Sequence, residues 1–255
     1  MTIHRLSAGS GYRYLTRTTA RGDADHAPSV SAQSLTAYYT ATGTPPGRWH
    51  GTGLTGLADG AGIPAGTIVD EKAMAALFGT GHDPVTGTVL AKAYPQFRTA
   101  LERVSARMAR LPAGLTLEQR ATLSEQFTAE ETARPARAAV AGFDLTFTAP
   151  KSVSVLWALA DPATQAEIVA AHHAAVADTL TVLESTALFT RIGAGSCAQV
   201  TTGGAIAAGF DHPDTRTGDP NLHTHLVLAN KVQGPDGAWR SVDSRALFTL
   251  SLIHI

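Results

Sequence analysis

The sequence is poor in cysteine, since Cys197 is the single one among 255 residues. An internal disulfide is therefore excluded, which agrees with a reducing compartment, and we expect this thiol to be buried. No apolar run approaches the ~18 residues of a membrane-spanning helix, and the first residues lack the apolar stretch of a signal peptide. These absences predict a cytoplasmic protein without membrane insertion.

Charged residues are also sparse, at 16% of the sequence against 44% hydrophobic residues. This composition excludes a disordered chain and is typical of a globular protein. The net charge of −1 argues against nucleic-acid binding, because such proteins are normally basic. The distribution weakens that objection: residues 1–110 hold 11 Lys and Arg against 7 Asp and Glu, and the rest hold 9 against 14.

Basic residues recur at every fourth position near the N-terminus, as Arg13, Arg17 and Arg21. The segment from Ala8 to Ala20 can form a helix, on which these arginines would follow one face. Such a stripe is either a solvated surface or a surface that contacts phosphates.

Four tyrosines lie in two polar clusters. Tyr12 and Tyr14 form the first, and Tyr38 and Tyr39 form the second, on a short helix predicted after Ser34. A lone tyrosine is normally a packing residue, but pairs in glycine-flanked segments beside arginines are less typical of a core. We therefore treat all four as candidate functional residues.

The hydrophobic patterns of the remaining chain predict an α+β domain with a central antiparallel sheet and helices packed on one face. Glycine-rich residues 51–66 are expected to form turns. Helices are predicted at 70–77, 97–110, 117–134, 152–160 and 162–187, and strands at 142–150, 203–212, 222–232 and 238–247. The two helices within 96–140 are interpreted as an inserted hairpin, and the last three strands as a meander.

Three histidines fall in matching phase on two of these strands. His223 and His225 are two residues apart and leave the same face, and a hairpin turn can bring His212 opposite His223. Three imidazoles can hold a divalent cation and leave positions open for substrate oxygens, which suits Lewis-acid catalysis. The alternatives are a chance cluster of hydrogen-bonded histidines and a cupin-like oxidase, although the LVLAN after His225 lacks the glutamate of that class.

A candidate carboxylate, Asp144, lies on the strand GFDLTFTAP. The strand alternates, with Phe143 and Leu145 on one side and Asp144 on the other. From periodicity alone, Asp144 is either a residue of a functional face or a solvent-facing strand residue.

Together these motifs resemble those of the MobF-type conjugative relaxases, the TrwC/TraI-like family. FDHPDTRTGDPNLHTHLVLANKV is similar to the family's three-histidine motif, and GFDLTFTAPKSVSVLWAL to its aspartate motif. GRWHGTGLTGL and FGTGHDPVTG resemble its linking segments, and SAGSGYRY and AYYTATG its tyrosine clusters. The segments follow in the family's order over nearly the whole chain.

The resemblance implies a palm-like HUH endonuclease fold and a metal site. His212, His223 and His225 would hold the cation, which we expect to be Mg²⁺ or Mn²⁺, with Zn²⁺ or Ni²⁺ as alternatives. Asp144 would orient a metal-bound histidine or accept the tyrosine proton.

The resemblance also implies roles for the tyrosines and for basic residues. Tyr14 matches the principal nucleophile, but Tyr12 stays a candidate because Arg13 separates two tyrosines that are adjacent in several relatives. Tyr38 or Tyr39 would serve a later strand-transfer step. Candidate phosphate contacts are Arg13, Arg17 and Lys151.

The function implied is nicking and rejoining of single-stranded DNA at a plasmid transfer origin, together with conjugation accessory proteins. Relatives continue with further helices and a helicase domain, so we expect a relaxase domain over 1–255 that is truncated at its C-terminus. No G-x-x-x-x-G-K-[ST] loop occurs, so no helicase domain is expected in this sequence. The alternatives are a rolling-circle replication initiator and a non-catalytic DNA-binding remnant.

Overall fold

A computed structural model of the chain describes residues 1–15, 46–95, 97–135, 137–215 and 217–251. The chain divides into two compact units. The first comprises Met1–Tyr94 and Val140–Ile255, and the second comprises Pro95–Ala139. All candidate site residues that are described belong to the first unit.

The strands of the first unit build one central sheet and two short ribbons. They are β1 (Thr2–Ser7), β2 (Arg48–His50), β3 (Val140–Thr148), β4 (Phe189–Ile192), β5 (Ala198–Thr201), β6 (Ala207–Asp214), β7 (Pro220–Ala229), β8 (Val232–Gln233) and β9 (Trp239–Arg240). Among the described residues the central sheet has five strands in the order β1-β3-β7-β6-β2, all paired antiparallel. The predicted α+β architecture with a central antiparallel sheet is confirmed. The short β1 and β2 were not predicted, because neither has the clear alternation of a half-buried strand.

The helices up to Thr186 agree closely with the predicted ones, whereas the last helix was not predicted. They are α1 (Glu71–Met74), α2 (Ala100–Met108), α3 (Leu117–Ala133), α4 (Lys151–Leu159), α5 (Pro162–Thr186) and α6 (Ser244–Ser251), with a π-helical turn at Ala75–Thr80 after α1 and 3-10 helices at Gly11–Leu15, Thr52–Gly56, Ala58–Gly60 and Ala194–Ser196. The side chains of Asp70 and Asp161 cap α1 and α5 by accepting bonds from backbone N–H groups. No helix in the described ranges is long and apolar enough to cross a bilayer.

One face of the central sheet carries the main hydrophobic core. Phe143 and Leu145 of β3 and Leu226 of β7 point into it, as the alternation of β3 predicts. Helix α5 lies on this face with Val176, Leu180 and Leu183 buried, and Leu247 of α6 joins them. On the other face, Phe78 of the π-helical turn reaches Gly142, a contact that the sequence did not predict. The strand face that bears Asp144 is therefore directed away from the main core.

The predicted meander after β7 is wrong. Trp239–Arg240 pairs with Val232–Gln233 in a separate ribbon, and Ser244–Ser251 form α6. The physical reason is that β7 already has β3 on one edge and β6 on the other, so it offers no free edge to a third strand.

Two smaller expectations also fail. Cys197 is exposed instead of buried, because it lies in the connection between β4 and β5. In place of the N-terminal helix, the described part contains β1 and then the short 3-10 helix Gly11–Leu15. Gly9, with φ of 85°, ends the extended segment where a continuous helix was expected.

The second unit is a hairpin of α2 and α3. Both helices begin with a capping box, at Thr99 and at Thr116. The buried Glu131 carboxylate pairs with Arg103 at 2.7 Å and with Arg107 at 3.1 Å. The predicted helices are thus present, and their origin as an insertion stays a prediction.

Candidate metal centre and nucleophile

The three histidines meet on one face of the hairpin of β6 and β7. His212 and His223 are direct partners in the antiparallel ladder, and His225 lies opposite Phe210 on the same face. One ring nitrogen from each histidine lies within 4.8 Å of the others. The hairpin predicted from the sequence therefore brings the three imidazoles together.

The hydrogen bonds of these rings leave a nitrogen on each for a cation. His223 Nδ1 donates to the carbonyl oxygen of Asn221 at 2.7 Å, and His225 Nδ1 donates to the Asp144 carboxylate at 2.8 Å. Their Nε2 atoms are thereby the free acceptors. His212 Nε2 is buried and has no hydrogen-bond partner among the described residues, which costs about 1–3 kcal/mol unless an ion uses it. The donor set fits a divalent cation.

The protonation of the rings agrees with this fit. Burial and the neighbouring His225 and His223 lower the pKa of His212 to about 4. Burial also lowers the pKa of His223. Both rings are neutral at neutral pH, and an imidazole must be neutral to bind a metal ion.

Asp144 is buried beside the histidines, on the strand next to β7. Its carboxylate accepts hydrogen bonds from the Tyr14 hydroxyl and from His225 Nδ1. Thr146 Oγ1 lies 3.4 Å from the same His225 nitrogen. A single carboxylate thus links the tyrosine to a histidine of the cluster, which is compatible with both roles considered for Asp144.

The 3-10 helix Gly11–Leu15 determines which tyrosine reaches Asp144. With three residues per turn, Tyr12 and Leu15 share one face, and both are buried in the core. Tyr14 points the other way, and its ring packs edge-on against His225 at 6.0 Å between centroids. Gly9 lies two residues before this helix, and its backbone N–H donates a hydrogen bond to the carbonyl oxygen of Gly79. This bond fixes the position of the segment from which the helix begins.

The environment of Tyr14 keeps its phenol protonated. Burial of the side chain, the negative charge of Asp144 and the hydrogen bond to Asp144 all raise the pKa of Tyr14. The phenol is therefore a proton donor to Asp144 in this state, and Asp144 is positioned to receive the proton.

The remaining candidates are placed less directly. Arg13 is exposed on the same 3-10 helix as Tyr14. Lys151 begins α4, and its ammonium donates to the carbonyl oxygen of Pro220 at 2.8 Å, which ties α4 to the start of β7. Arg17, Tyr38 and Tyr39 lie outside the described residues.

Sequence reasoning missed the residues behind the cluster. Asp211 and Thr224 lie on the opposite face of the same hairpin and bond to His173 and His172 of α5. The strand alternation that placed the histidines on one face also placed these two residues on the other, so the signal was present in the sequence.

Comparison with known proteins gives consistent matches. The chain matches the family model described as TrwC relaxase over residues 8–253. Over 103 residues it is 38% identical to the multifunctional conjugation protein TraI of Escherichia coli, a match that covers 40% of this chain and 6% of that protein.

Solved structures with the same fold include two of the conjugative relaxase TrwC in complex with oriT DNA. The copper-bound structure has a TM-score of 0.58 at 24% identity and covers 99% of this chain and 65% of that chain. The metal-bound structure has a TM-score of 0.59 at 22% identity and covers 99% and 64%. The chain thus spans just under two thirds of these relatives and a small part of TraI, and the expected palm-like fold is confirmed.

Proposed function

The chain belongs to the TrwC relaxase family, and we propose that it nicks and rejoins single-stranded DNA at a plasmid transfer origin with Tyr14 as the nucleophile. The observation that carries this proposal is the continuous chain of contacts from the Tyr14 hydroxyl through Asp144 to His225. A nucleophile, a base and a cation-binding cluster are thereby joined at one place, as covalent phosphoryl transfer requires.

The proposed reaction is a transesterification. The Tyr14 oxygen attacks the scissile phosphorus, its proton passes to Asp144, and the bond from phosphorus to the DNA 3′-oxygen breaks. The 3′-oxygen leaves and takes up a proton from water, to which Asp144 gives up the phenolic proton, while the 5′ end stays on the tyrosine as a phosphodiester. One phosphodiester replaces another, so the step is reversible and needs no nucleotide cofactor.

The residues proposed to hold the cation are His212, His223 and His225. A divalent ion bound there would supply Lewis-acid stabilisation of the charge that develops on the phosphate. The donor set consists of imidazole nitrogens, which suit Zn²⁺ and Ni²⁺ better than Mg²⁺ or Mn²⁺. We therefore propose Zn²⁺ or Ni²⁺ ahead of the Mg²⁺ or Mn²⁺ that the resemblance suggested.

Asp144 has two tasks in this proposal. Its hydrogen bond fixes the tautomer and orientation of the His225 ring, and the same carboxylate receives the phenolic proton. Because Tyr14 is kept protonated until it attacks, the base has to be in contact with it beforehand.

DNA contacts and protein partners are a further part of the proposal. Arg13 and Lys151 are exposed in the described part of the chain and are proposed to contact phosphates. Arg17 is proposed for the same task, and Tyr38 or Tyr39 for a second strand-transfer step. Conjugation accessory proteins are proposed as partners by analogy with the family.

Capture of covalently bound DNA tests the proposal directly. The protein is incubated with a randomised pool of single-stranded DNA and Ni²⁺ or Mn²⁺, and DNA that stays attached in denaturing detergent is amplified over several rounds. We expect a specific sequence joined through its 5′ end to the peptide that contains Tyr14. Added EDTA should abolish the adduct, because the proposed reaction requires the cation.

Two variants of this protein identify the nucleophile, because each replaces one tyrosine by phenylalanine and so removes a single phenolic oxygen. Tyr14→Phe should lose the adduct and keep DNA binding, whereas Tyr12→Phe, which changes a buried ring, should keep the adduct. Binding without any adduct would indicate the non-catalytic remnant, and cleavage that frees both DNA ends would indicate a hydrolase. Either result would overturn the proposal.

A further inference from the structure

The hairpin of β6 and β7 carries a second set of polar side chains behind the candidate metal centre. Side chains alternate along a strand, so Asp211, next to His212, and Thr224, between His223 and His225, point to the opposite face. Asp211 and Thr224 are direct partners in the antiparallel ladder. They form a polar pair immediately behind the proposed ligands.

Helix α5 completes a network with this pair. The buried Thr224 hydroxyl donates to Asp211 Oδ1 at 2.6 Å. A hydroxyl has one proton, so His172 Nε2, 2.9 Å from the Thr224 oxygen, donates to that oxygen. His173 Nε2 lies 2.8 Å from Asp211 Oδ2. Side-chain hydrogen bonds therefore join both strands of the hairpin to one helix.

The hairpin becomes irregular close to this network. The register of the β6–β7 ladder shifts between His212 and Asp214, directly after the ligand-bearing pair. His212 and His223 thus lie at the end of the regular part of the β6–β7 ladder. Ligand distances in metal sites vary by only about 0.2 Å, so the spacing of these two rings needs additional support.

Helix α5 is suited to give that support. Val176, Leu180 and Leu183 fix it in the main core, and His172 and His173 lie one turn before Val176. A hydrogen bond from a helix that is packed in this way restricts the hairpin more than a bond from a surface loop would.

We propose that Asp211, Thr224 and His172 form a positioning network that fixes the spacing of His212 and His223 from behind the sheet. The inference rests on the proposed metal site, but it concerns the geometry of the ligands and not the transesterification. It predicts that loss of the Thr224 hydroxyl weakens cation binding although no ligand has changed.

A titration with Co²⁺ alone tests this inference, because the visible absorption of bound Co²⁺ reports both affinity and coordination geometry. We expect Thr224→Val to weaken Co²⁺ binding by about 10–100-fold, the usual effect of removing a residue that supports a metal ligand, and to alter the absorption bands. Thr224→Ser, which restores the hydroxyl, should recover both. His172→Ala, a change at a half-buried helix position, should give a smaller loss in the same direction.

Thr190→Val is the matched control. Thr190 is also a buried strand threonine, and its hydroxyl donates to the carbonyl oxygen of Ser241 at 2.8 Å, outside the hairpin. Equal Co²⁺ affinities of the Thr190→Val and Thr224→Val proteins would overturn the positioning network. A wild-type protein that binds Co²⁺ but forms no DNA adduct would overturn the proposed function and leave the network standing. A wild type that does not bind Co²⁺ would overturn the network.

Discussion

At the scale of single residues, Tyr12 and Tyr14 differ by two positions and have opposite environments. The 3-10 helix buries Tyr12 with Leu15 and directs Tyr14 to Asp144. Both are tyrosines beside Arg13, so composition and spacing do not distinguish them. The geometry of one short helix therefore supports the choice that sequence reasoning left open.

Asp144→Asn should slow nicking by about 10–100-fold or more. The amide cannot accept the phenolic proton, and it supports the His225 ring less well than a carboxylate does. The measurement is the single-turnover rate of adduct formation with the selected DNA. Asp178→Asn, which changes an exposed aspartate on α5, is the control and should keep the wild-type rate. Full activity of Asp144→Asn would remove Asp144 from the proposed mechanism.

His212 should make the metal-free protein sensitive to acid. Its pKa falls from 6.5 to about 4 in the folded state because the ring is buried beside His225 and His223. Between these two values the unfolded chain binds more protons, so the free energy of unfolding should decrease as the pH falls from 6.5 to 4, by on the order of 3 kcal/mol at most. Urea unfolding of wild type and of His212→Gln over this range measures the difference. Parallel pH profiles of the two proteins would contradict this prediction.

At the scale of secondary structure elements, the local sequence pattern predicts the main strands but not the helix that carries the nucleophile. Strand β3 alternates, which predicts both the strand and the face of each side chain, whereas β6 and β7 are predicted as strand-like runs joined by turn-forming residues. The 3-10 helix that carries Tyr14 has no such pattern, and its position depends on the contact between Gly9 and Gly79.

Gly9→Ala should therefore affect the nucleophile more than the metal site. Gly9 has φ of 85° and open space around its Cα, so an added methyl group costs backbone strain, about 1–2 kcal/mol, and no collision. We expect slower adduct formation with unchanged Co²⁺ affinity. Gly60→Ala is the matched control, because Gly60 has φ of 89° and is equally open, but lies in another loop. Equal adduct rates in the two variants would show that the strain at Gly9 does not reach Tyr14.

At the scale of the whole molecule, the proposed chemistry belongs to one of the two compact units. The tyrosine, the carboxylate and the three histidines all lie in the unit formed by Met1–Tyr94 and Val140–Ile255. The ends that flank the helical unit are close together, since the Tyr94 hydroxyl donates to the carbonyl oxygen of Ala141 at 3.2 Å.

Replacing Pro95–Ala139 by a short glycine-rich linker should leave the metal site intact. The helical unit has its own buried ion-pair cluster around Glu131, and the described residues of the site all belong to the first unit. We expect Co²⁺ affinity within about threefold of wild type, a change of less than about 1 kcal/mol. A linker with the same residues in scrambled order is the control for linker sequence. Loss of Co²⁺ binding in both linker proteins would show that the metal site depends on the helical unit, and would contradict this prediction.

The sequence by itself determined the features that depend on local periodicity. Repeats of two and of about 3.6 residues are properties of a few consecutive residues. They predict the phase of His212, His223 and His225, the polar side of β3 and the helices from Asp70 to Thr186. The family resemblance, confirmed by the match over residues 8–253, adds the order of these segments.

The tertiary structure alone decided the features that depend on partners distant in sequence. The predicted meander failed because β3 and β6 occupy the two edges of β7. The sequence of the predicted last strand carries no information about which strands pair with β7. The joint contact of Asp144 with Tyr14 and His225 spans 130 and 81 residues of sequence. The network behind the hairpin likewise needs α5 to lie on the reverse face. Periodicity fixes the direction in which a side chain points, whereas only the packing of the elements fixes what that side chain meets.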